Sequence, residues 1–493
     1  MKLLYAMLKW RYRAQAIAYQ SAPAQEALLL SLLEKNRNAA YGKTYGFSSI
    51  RSEKAYREQV PVVRFDDIAP WVERIRQGET GVLTEEPVLL FEPTGGSSGV
   101  RKWIPYTKTL QTQFRQSVEA WLYDIYTEYP GVDQGKAYWM ITPPFTEEDT
   151  AETDVPVGFE DDAAYLGSWG QKLMNRMMVQ PLITPGMDTE TFYTVTVRAL
   201  AAEKNLRLLS VWNPSLLLNL LGFLQKQSDT VKKTLSKSRA EALERAVQTE
   251  NWQLLWPELR LLSCWADASA ADDAKELAAC LPFATMQPKG LLSTECMVSF
   301  PTRESLAHGG MLPAFRSTYM EFFTEDRFFC LQEIEEGVEY DVIVTTGGGL
   351  YRYDTGDRIR VTGRLGSVPL LRFTGRTGTV DLVGEKLTPG FVETVFSDLT
   401  GFYLLMPMEK GYVLCTDTAI RPQEAETRLL TSHHYALARR MGQLKPVRVF
   451  RITGDAKQQY FEQCQRHGQR LGDIKPVRLT ARTDFVFTGE YHD

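Results

Sequence analysis

The stretch FEPTGGSSGVRKWIPYT, Phe91 to Thr107, packs Thr94, Gly95, Gly96, Ser97, Ser98 and Gly99 just ahead of Lys102. Consecutive small residues let backbone N–H groups approach phosphoryl oxygens, the hydroxyls add donors, and a nearby lysine neutralises charge. A P-loop of the GxxxxGK[ST] kind needs its lysine directly after the last glycine. Val100 and Arg101 intervene here and Trp103 follows Lys102, so this is not a Walker loop. Two readings of the loop in isolation stand: a phosphate cradle, and a polar hairpin turn between the strand-like VLLFEP and WIPYT.

Working outward, Thr107 to Tyr129 contains neither Pro nor Gly and carries Phe114, Val118, Trp121, Leu122 and Ile125 at spacings of mostly three and four. That is an amphipathic helix, with Thr107 or Thr109 as its cap. Its apolar stripe is a candidate wall for a small organic acid (Phe114, Val118, Trp121, Leu122) or plain core. Upstream, residues 1 to about 60 carry helical periodicity and end at the strand-like VPVVRF. Downstream of Lys136, runs such as AYWMIT and LRLLSVW alternate with helical patterns such as PSLLLNLLGFLQKQ and KSRAEALERAVQ. Such alternation predicts an α/β architecture with covered sheets. Beyond about residue 310, YMEFFTE, YDVIVTT, LYRYDTG and RIRVTG are short β-rich segments broken by glycine, which predict a small barrel or sheet. From about residue 380 the chain carries β and α signals of its own, in LLMPMEKGYVLCTD, AETRLLTSHHYALARRMG and KPVRVFRI. The expected organisation is a large N-terminal domain, 1–375, and a smaller mobile α+β domain, 376–493. Gly375, Gly378 and Gly384 permit a hinge near 375–384.

Composition narrows the function. The 493 residues hold 56 basic and 61 acidic side chains, a net charge of −5 spread along the chain. No basic stripe offers itself to nucleic acid and no polybasic cluster to anionic lipid. Six scattered cysteines form no CxxC pair and read as thiols in a reducing cytoplasm, while five histidines give no zinc pattern. Any metal is expected to arrive with the substrate. The N-terminal MKLLYAMLKWRYRAQAIAYQ reads as an amphipathic helix, since Lys9, Arg11 and Arg13 interrupt its apolar run; it is neither a signal peptide nor a membrane span.

Four further segments carry chemistry. KGLLSTECMVSF places Thr294 and Glu295 at the end of a strand-like run, and LYRYDTGDRIRV places Asp357 after Gly356 in a tight turn. FTGRTG presents Arg376 between glycines, and LGDIKPVR presents Lys475. A phosphate loop, a carboxylate for Mg²⁺, a carboxylate for ribose hydroxyls and cations for charge at an α-phosphorus are what activation of an acyl group by ATP requires.

In that order the segments resemble the adenylate-forming superfamily of acyl-CoA synthetases, luciferases and peptide-synthetase adenylation domains. More narrowly, the chain is similar to the auxin-responsive-promoter family of acyl acid amido synthetases in its bacterial form. PTGGSSGVRK, LLSTE and LYRYDTGD are similar to that family's first three motifs, and YGKTYGFSSI, SVWNPSLLLNLL, GVEYDVIVTTGGGLYRYDTGD and LVGEKLTP read like it too, so the likeness covers nearly the whole chain. The resemblance implies that Thr94, Gly95, Gly96, Ser97, Ser98, Gly99 and Lys102 cradle the pyrophosphate end of ATP. It implies that Thr294 lies near the α-phosphate and acyl carboxylate and that Glu295 ligates Mg²⁺. Asp357 would accept from the ribose hydroxyls with Tyr353 nearby, Arg376 would reach the sugar or phosphate, and Lys475 would approach the reacting centre. Two positions depart from the family. Leu291 stands where a tyrosine usually stacks on adenine, and Gly96 where a threonine is frequent.

The activity implied is adenylation of a carboxylic acid followed by transfer of its acyl group to an amine, with an amino acid as the expected amine. Two alternatives stay open: a thioester ligase passing the acyl group to coenzyme A or a carrier, and a non-catalytic nucleotide or acyl-acid sensor.

Overall fold

In the computed structural model the described residues are 2–21, 23–95, 101–140, 155–156, 176–184, 187–376, 378–466 and 477–492. The chain is a mixed α/β protein that divides into two compact units, Met1–Thr94 with Trp103–Gly375 and Gly95–Lys102 with Arg376–Asp493.

In the larger unit, the apolar runs after Lys136 form a four-stranded sheet in the order Lys136–Trp139, Leu206–Ser210, Leu261–Cys264, Thr285–Pro288, parallel throughout. Strands packed on both faces read as continuous apolar runs, and LLSC is buried at every residue. The intervening patterns form the helices Pro214–Lys226 and Lys237–Gln248. The helix after the glycine-rich loop spans Lys108–Glu128. Thr107 caps it: its hydroxyl accepts from the Leu110 N–H at 3.2 Å and donates to the Gly347 carbonyl at 2.8 Å. One side chain thus closes a helix end and ties it to a loop 240 residues away.

The β-rich segments past residue 310 form a five-stranded sheet ordered Arg327–Cys330, Tyr319–Thr324, Glu339–Thr345, Tyr353–Leu365, Val368–Arg376. LYRYDTG and RIRVTG, expected as separate short segments, share the single strand Tyr353–Leu365. Alternation along YRY would put Arg352 on a different face from Tyr351 and Tyr353, yet all three are buried. The reason is a buried ion cluster. Glu321, 1 % exposed, receives the Arg352 and Arg57 guanidiniums, each at 3.1 Å. Arg352 also donates to the carbonyls of Arg57 (2.9 Å) and Val60 (2.8 Å), and it adopts the left-handed φ of 47°. The segment VPVVRF, expected as a strand, makes only one parallel bridge, Val63 to Tyr353, because this cluster holds the chain before it.

The smaller unit holds a sheet ordered Tyr403–Met408, Gly411–Thr416, Arg448–Ile452, Gly489–His492, with an antiparallel, a parallel and an antiparallel pairing. Successive residues serve opposite faces. Leu405, Tyr412 and Leu414 pack with Phe391 and Tyr435, whereas Leu404, Val413 and Cys415 pack with Phe402, Tyr460 and Phe485. Among the described residues no helix is long and apolar enough to cross a membrane.

Replacing Arg352 by methionine leaves Glu321 buried with half its counter-charge. Breaking a buried pair from one side costs about 3–5 kcal/mol. Arg352→Met is therefore expected to lower unfolding stability by that amount in denaturant titration, and a loss below about 1 kcal/mol would show that the cluster does not hold the sheet.

Candidate functional site

KGLLSTECMVSF, expected as a strand-like run, folds back on itself. Leu291 donates its N–H to the Ser299 hydroxyl at 3.0 Å and accepts from the Val298 N–H at 2.9 Å. Leu292 bridges Met297, and the Ser293 N–H donates to the Cys296 carbonyl at 3.0 Å, which puts Thr294 and Glu295 at a two-residue tip. The base of this hairpin demands glycine: a Cβ on Gly290 would stand 2.1 Å from the Ser299 carbonyl oxygen. At the tip, the Thr294 hydroxyl donates to Glu295 Oε2 at 3.0 Å, and the Tyr106 hydroxyl donates to the Thr294 carbonyl. Tyr106 in turn stacks on Phe114, with centroids 5.8 Å apart and planes 17° apart.

Asp357 was expected in a tight GD turn. It sits instead in a bulge inside the strand Tyr353–Leu365, where the register against Glu339–Thr345 shifts between Asp341 and Ile343. Gly356 takes a φ of 72° that a side chain would strain. The bulge is tied by local bonds: the Thr355 hydroxyl to the Val342 carbonyl (2.9 Å), the Gly356 N–H to Asp354 (2.9 Å) and the Asp357 N–H to the Thr355 hydroxyl (3.1 Å). Asp357 is fully buried. Cys296, on the returning arm of the hairpin, is 1 % exposed. Burial pushes its thiol well above the usual range, and the Glu295 and Asp357 carboxylates push it in the same direction.

The other expected residues divide. Tyr353 is buried and bridged to Val63, and Leu291 lies half-buried against the main core. On the helix, Leu122 is wholly enclosed and Val118 half-buried, while Trp121 donates its indole N–H to Gln287 at 3.2 Å. The backbone of Thr94 and Gly95 ends the strand Leu90–Gly95, and Lys102 lies half-buried in the strand Arg101–Tyr106. Gly96, Ser97, Ser98, Gly99 and Lys475 lie outside the described residues. Arg376 ends the strand Val368–Arg376 and, within the smaller unit, lines a cleft of about 350 Å³ with Thr379, Tyr460 and Arg482. Burial together with the Lys386, His433 and Arg376 charges holds the His434 imidazole down to about 3.

Hard oxygen donors at the hairpin tip suit Mg²⁺, which binds one or two carboxylates and takes the rest of its shell from water and phosphate. A buried carboxylate acceptor suits a vicinal diol. Sequence reasoning missed Tyr106 and Gly290, whose roles at the hairpin depend on partners that the sequence does not place beside them.

Residues 13–282 match the model of the GH3 family N-terminal domain, and residues 311–376 that of the GH3 family central domain. Indole-3-acetic acid-amido synthetase GH3.3 of Arabidopsis thaliana is 24% identical over 402 residues, which cover 70% of this chain and 65% of that one. Indole-3-acetic acid-amido synthetase GH3.4 of the same plant is 26% identical over 401 residues, with the same coverage. The chain thus spans 65% of the length of these curated relatives. Among solved structures, the GH3.15 acyl acid amido synthetase in complex with 2,4-DB shares the fold with a TM-score of 0.65 at 17% identity, over 93% of this chain and 91% of that one.

Gly290→Ala forces the hairpin base apart at a backbone atom. The expected outcome is a loss of about 1–3 kcal/mol in denaturant unfolding, the usual range for overpacking. An unchanged midpoint would show that the Gly290–Ser299 approach is not required.

Proposed function

Because the chain belongs to the GH3 family, we propose that it is an ATP-dependent acyl acid amido synthetase. The observation that carries this reading is the match of residues 13–282 and 311–376 to the N-terminal and central domains of that family, with the Thr294–Glu295 hairpin tip and the buried Asp357 lying within or between the matched spans. In the first step a carboxylate oxygen of the acid attacks the α-phosphorus of ATP; the new C(O)O–P bond forms as the bond to the β-phosphate oxygen breaks and pyrophosphate leaves. In the second, an amine nitrogen, of an amino acid in our reading, attacks the acyl carbon. The amide bond forms, AMP departs with the C–O electron pair, and the nitrogen loses a proton to solvent.

We assign Asp357 to the ribose hydroxyls, with Tyr353 and Leu291 beside the nucleoside and Arg376 at sugar or phosphate. Thr294 orients the reacting carboxylate and α-phosphate. Glu295 holds Mg²⁺, which when bound neutralises charge on the phosphates. Thr94 to Gly99 and Lys102 take the β- and γ-phosphates through N–H groups and charge, and Lys475 supplies a cation as charge grows at phosphorus. Phe114, Val118 and Trp121 border the acid, and Leu122 backs them from the core. The six free thiols suit the cytoplasm, where we place the reaction.

A screen of carboxylic acids for acid-dependent ATP–pyrophosphate exchange, with mass spectrometry of products formed from mixed amino acids, tests the reading. Exchange and an amide are expected; a folded protein giving no exchange with any acid refutes it, and a thioester with coenzyme A in place of an amide refutes the second step. Asp357→Ala should weaken ATP binding by about 1–3 kcal/mol, since ribose hydroxyls lose a partner in a desolvated site, and unchanged affinity would remove Asp357 from the nucleotide site. Lys475→Ala should lose exchange by about a hundredfold or more yet convert pre-made acyl-adenylate and amine at near the parent rate. Equal loss in both half-reactions would deny it that role.

A further inference from the structure

The helix Lys2–Ala18 is apolar on two sides, and the larger unit covers one of them. Tyr5, Leu8 and Tyr12 are buried, with Tyr5 edge-on to Tyr126 of the long helix at a centroid distance of 4.8 Å. The other side is bare. Trp10 is 81 % exposed, Leu3 77 %, Ile17 49 % and Met7 44 %, and Ala14 is exposed among them. At about 100° per residue these side chains fall in one stripe roughly 80° wide, which runs for about 21 Å from Leu3 to Ile17. A helix that is apolar all round is normally enclosed all round. Hydrophobic residues exposed singly need no account, but a contiguous apolar stripe marks a surface that meets something else.

The charges beside the stripe decide what that is. The helix contains no acidic residue. By the same helical spacing Lys2 and Arg13 border the stripe on one side and Arg11 on the other. Among the described residues Lys2 and Arg13 form no ion pair. Lys9 and Arg11 meet Asp133 (2.7 Å) and Glu119 (3.6 Å), but Glu119 is buried and Asp133 mostly enclosed. Arg316, itself exposed, donates to the Ala18 carbonyl at 3.4 Å and adds a cation at the helix end. We propose that the Lys2–Ala18 helix is a docking surface for a lipid bilayer with anionic headgroups, lying along the membrane without crossing it. The stripe enters the boundary of the acyl chains, the Trp10 indole settles at headgroup level, and the flanking lysine and arginines reach along their stems to phosphate. A protein partner would need carboxylates placed on both sides of a convex helix, whereas a bilayer supplies phosphates all round it. A second copy of this chain would set the same cations against themselves, and like charges across an interface repel. With no polybasic cluster in the sequence, charge does not hold the helix on lipid by itself. Apolar burial and charge act together, so the contact is reversible and sensitive to salt.

The test is co-sedimentation of the full chain with vesicles of phosphatidylcholine alone and of equimolar phosphatidylcholine and phosphatidylglycerol. Binding to the anionic vesicles is expected to exceed binding to the neutral ones by about tenfold or more. It should fall severalfold when salt is raised to about 1 M, where screening confines charge to about 3 Å. Leu3→Ser combined with Trp10→Ser should lose about tenfold or more of that binding. Its denaturant midpoint should stay at the parent value, because neither side chain is buried. Arg13→Glu should weaken binding to the anionic vesicles and leave the neutral ones unaffected. No binding to either vesicle overturns the proposal, and so does equal binding to both. Parent-level binding by the double serine variant overturns it as well, since the stripe would then not be the contact. Without lipid, a dimer in light scattering that the serine variant splits would assign the stripe to a second copy. Capture of a synthetic acidic amphipathic peptide by a chain that ignores both vesicles would assign it to a protein, and either result overturns the lipid reading.

Discussion

Glu321, closed off from water and held between the guanidiniums of Arg57 and Arg352, is the constraint on which the larger unit turns. A carboxylate in that position is tolerable only with its charge met and its lone pairs filled. The two arginines that do so belong to an N-terminal helix and to the entry of a strand nearly three hundred residues later. Arg352 further spans to the carbonyls of residues 57 and 60, so the helical entry and the antiparallel sheet behave as one piece. The strand that Arg352 introduces carries the Asp357 bulge five residues on. The strand that carries the candidate carboxylate is thereby entered from a buried ion cluster.

A second set of close approaches fixes the Thr294 hairpin. Gly290 lies against the Ser299 backbone, the Ser299 hydroxyl caps the Leu291 N–H, and Tyr106 grips the tip from the end of the strand before the long helix. Thr107 then joins that helix to the loop preceding the strand that carries Asp357. The bonds run in series from the hairpin through Tyr106 and Thr107 to the loop at Gly347. Preorganisation of this kind lets donors and acceptors meet a substrate without reordering.

What could be read from the sequence was what depends on local period. Phe114, Trp121, Leu122 and Ile125 recur with helical spacing, and a helix of 21 residues carries them. LRLLSVW and LLSC are mainly apolar, and all the residues of their two strands but Arg207 are buried. The order of the motifs, too, carries the family likeness. What could not be read depends on partners distant in sequence. KGLLSTECMVSF has β-forming residues at both ends, and only the collision at Gly290 and the bond to Ser299 fold it into a hairpin. Arg352 looks like a surface residue of a strand unless Glu321 is known to face it. Lys289 is one lysine in an apolar run until three tryptophans from three segments are placed around it. The glycine-rich loop that opened the sequence argument is the part on which the structure adds least, since Gly96 to Gly99 lie outside the described residues.

Cys296 lies on the returning arm of the Thr294 hairpin, and its surroundings give it a use of a different kind. Alkylating reagents attack the thiolate, and both the exclusion of solvent and two neighbouring negative charges oppose ionisation there. In the closed protein the sulfur is therefore chemically silent. Any local opening there admits water, relieves the charge repulsion and makes the same sulfur reactive. The chain thus carries, within its motif hairpin, a native reporter whose labelling rate measures how often the assembled geometry comes undone.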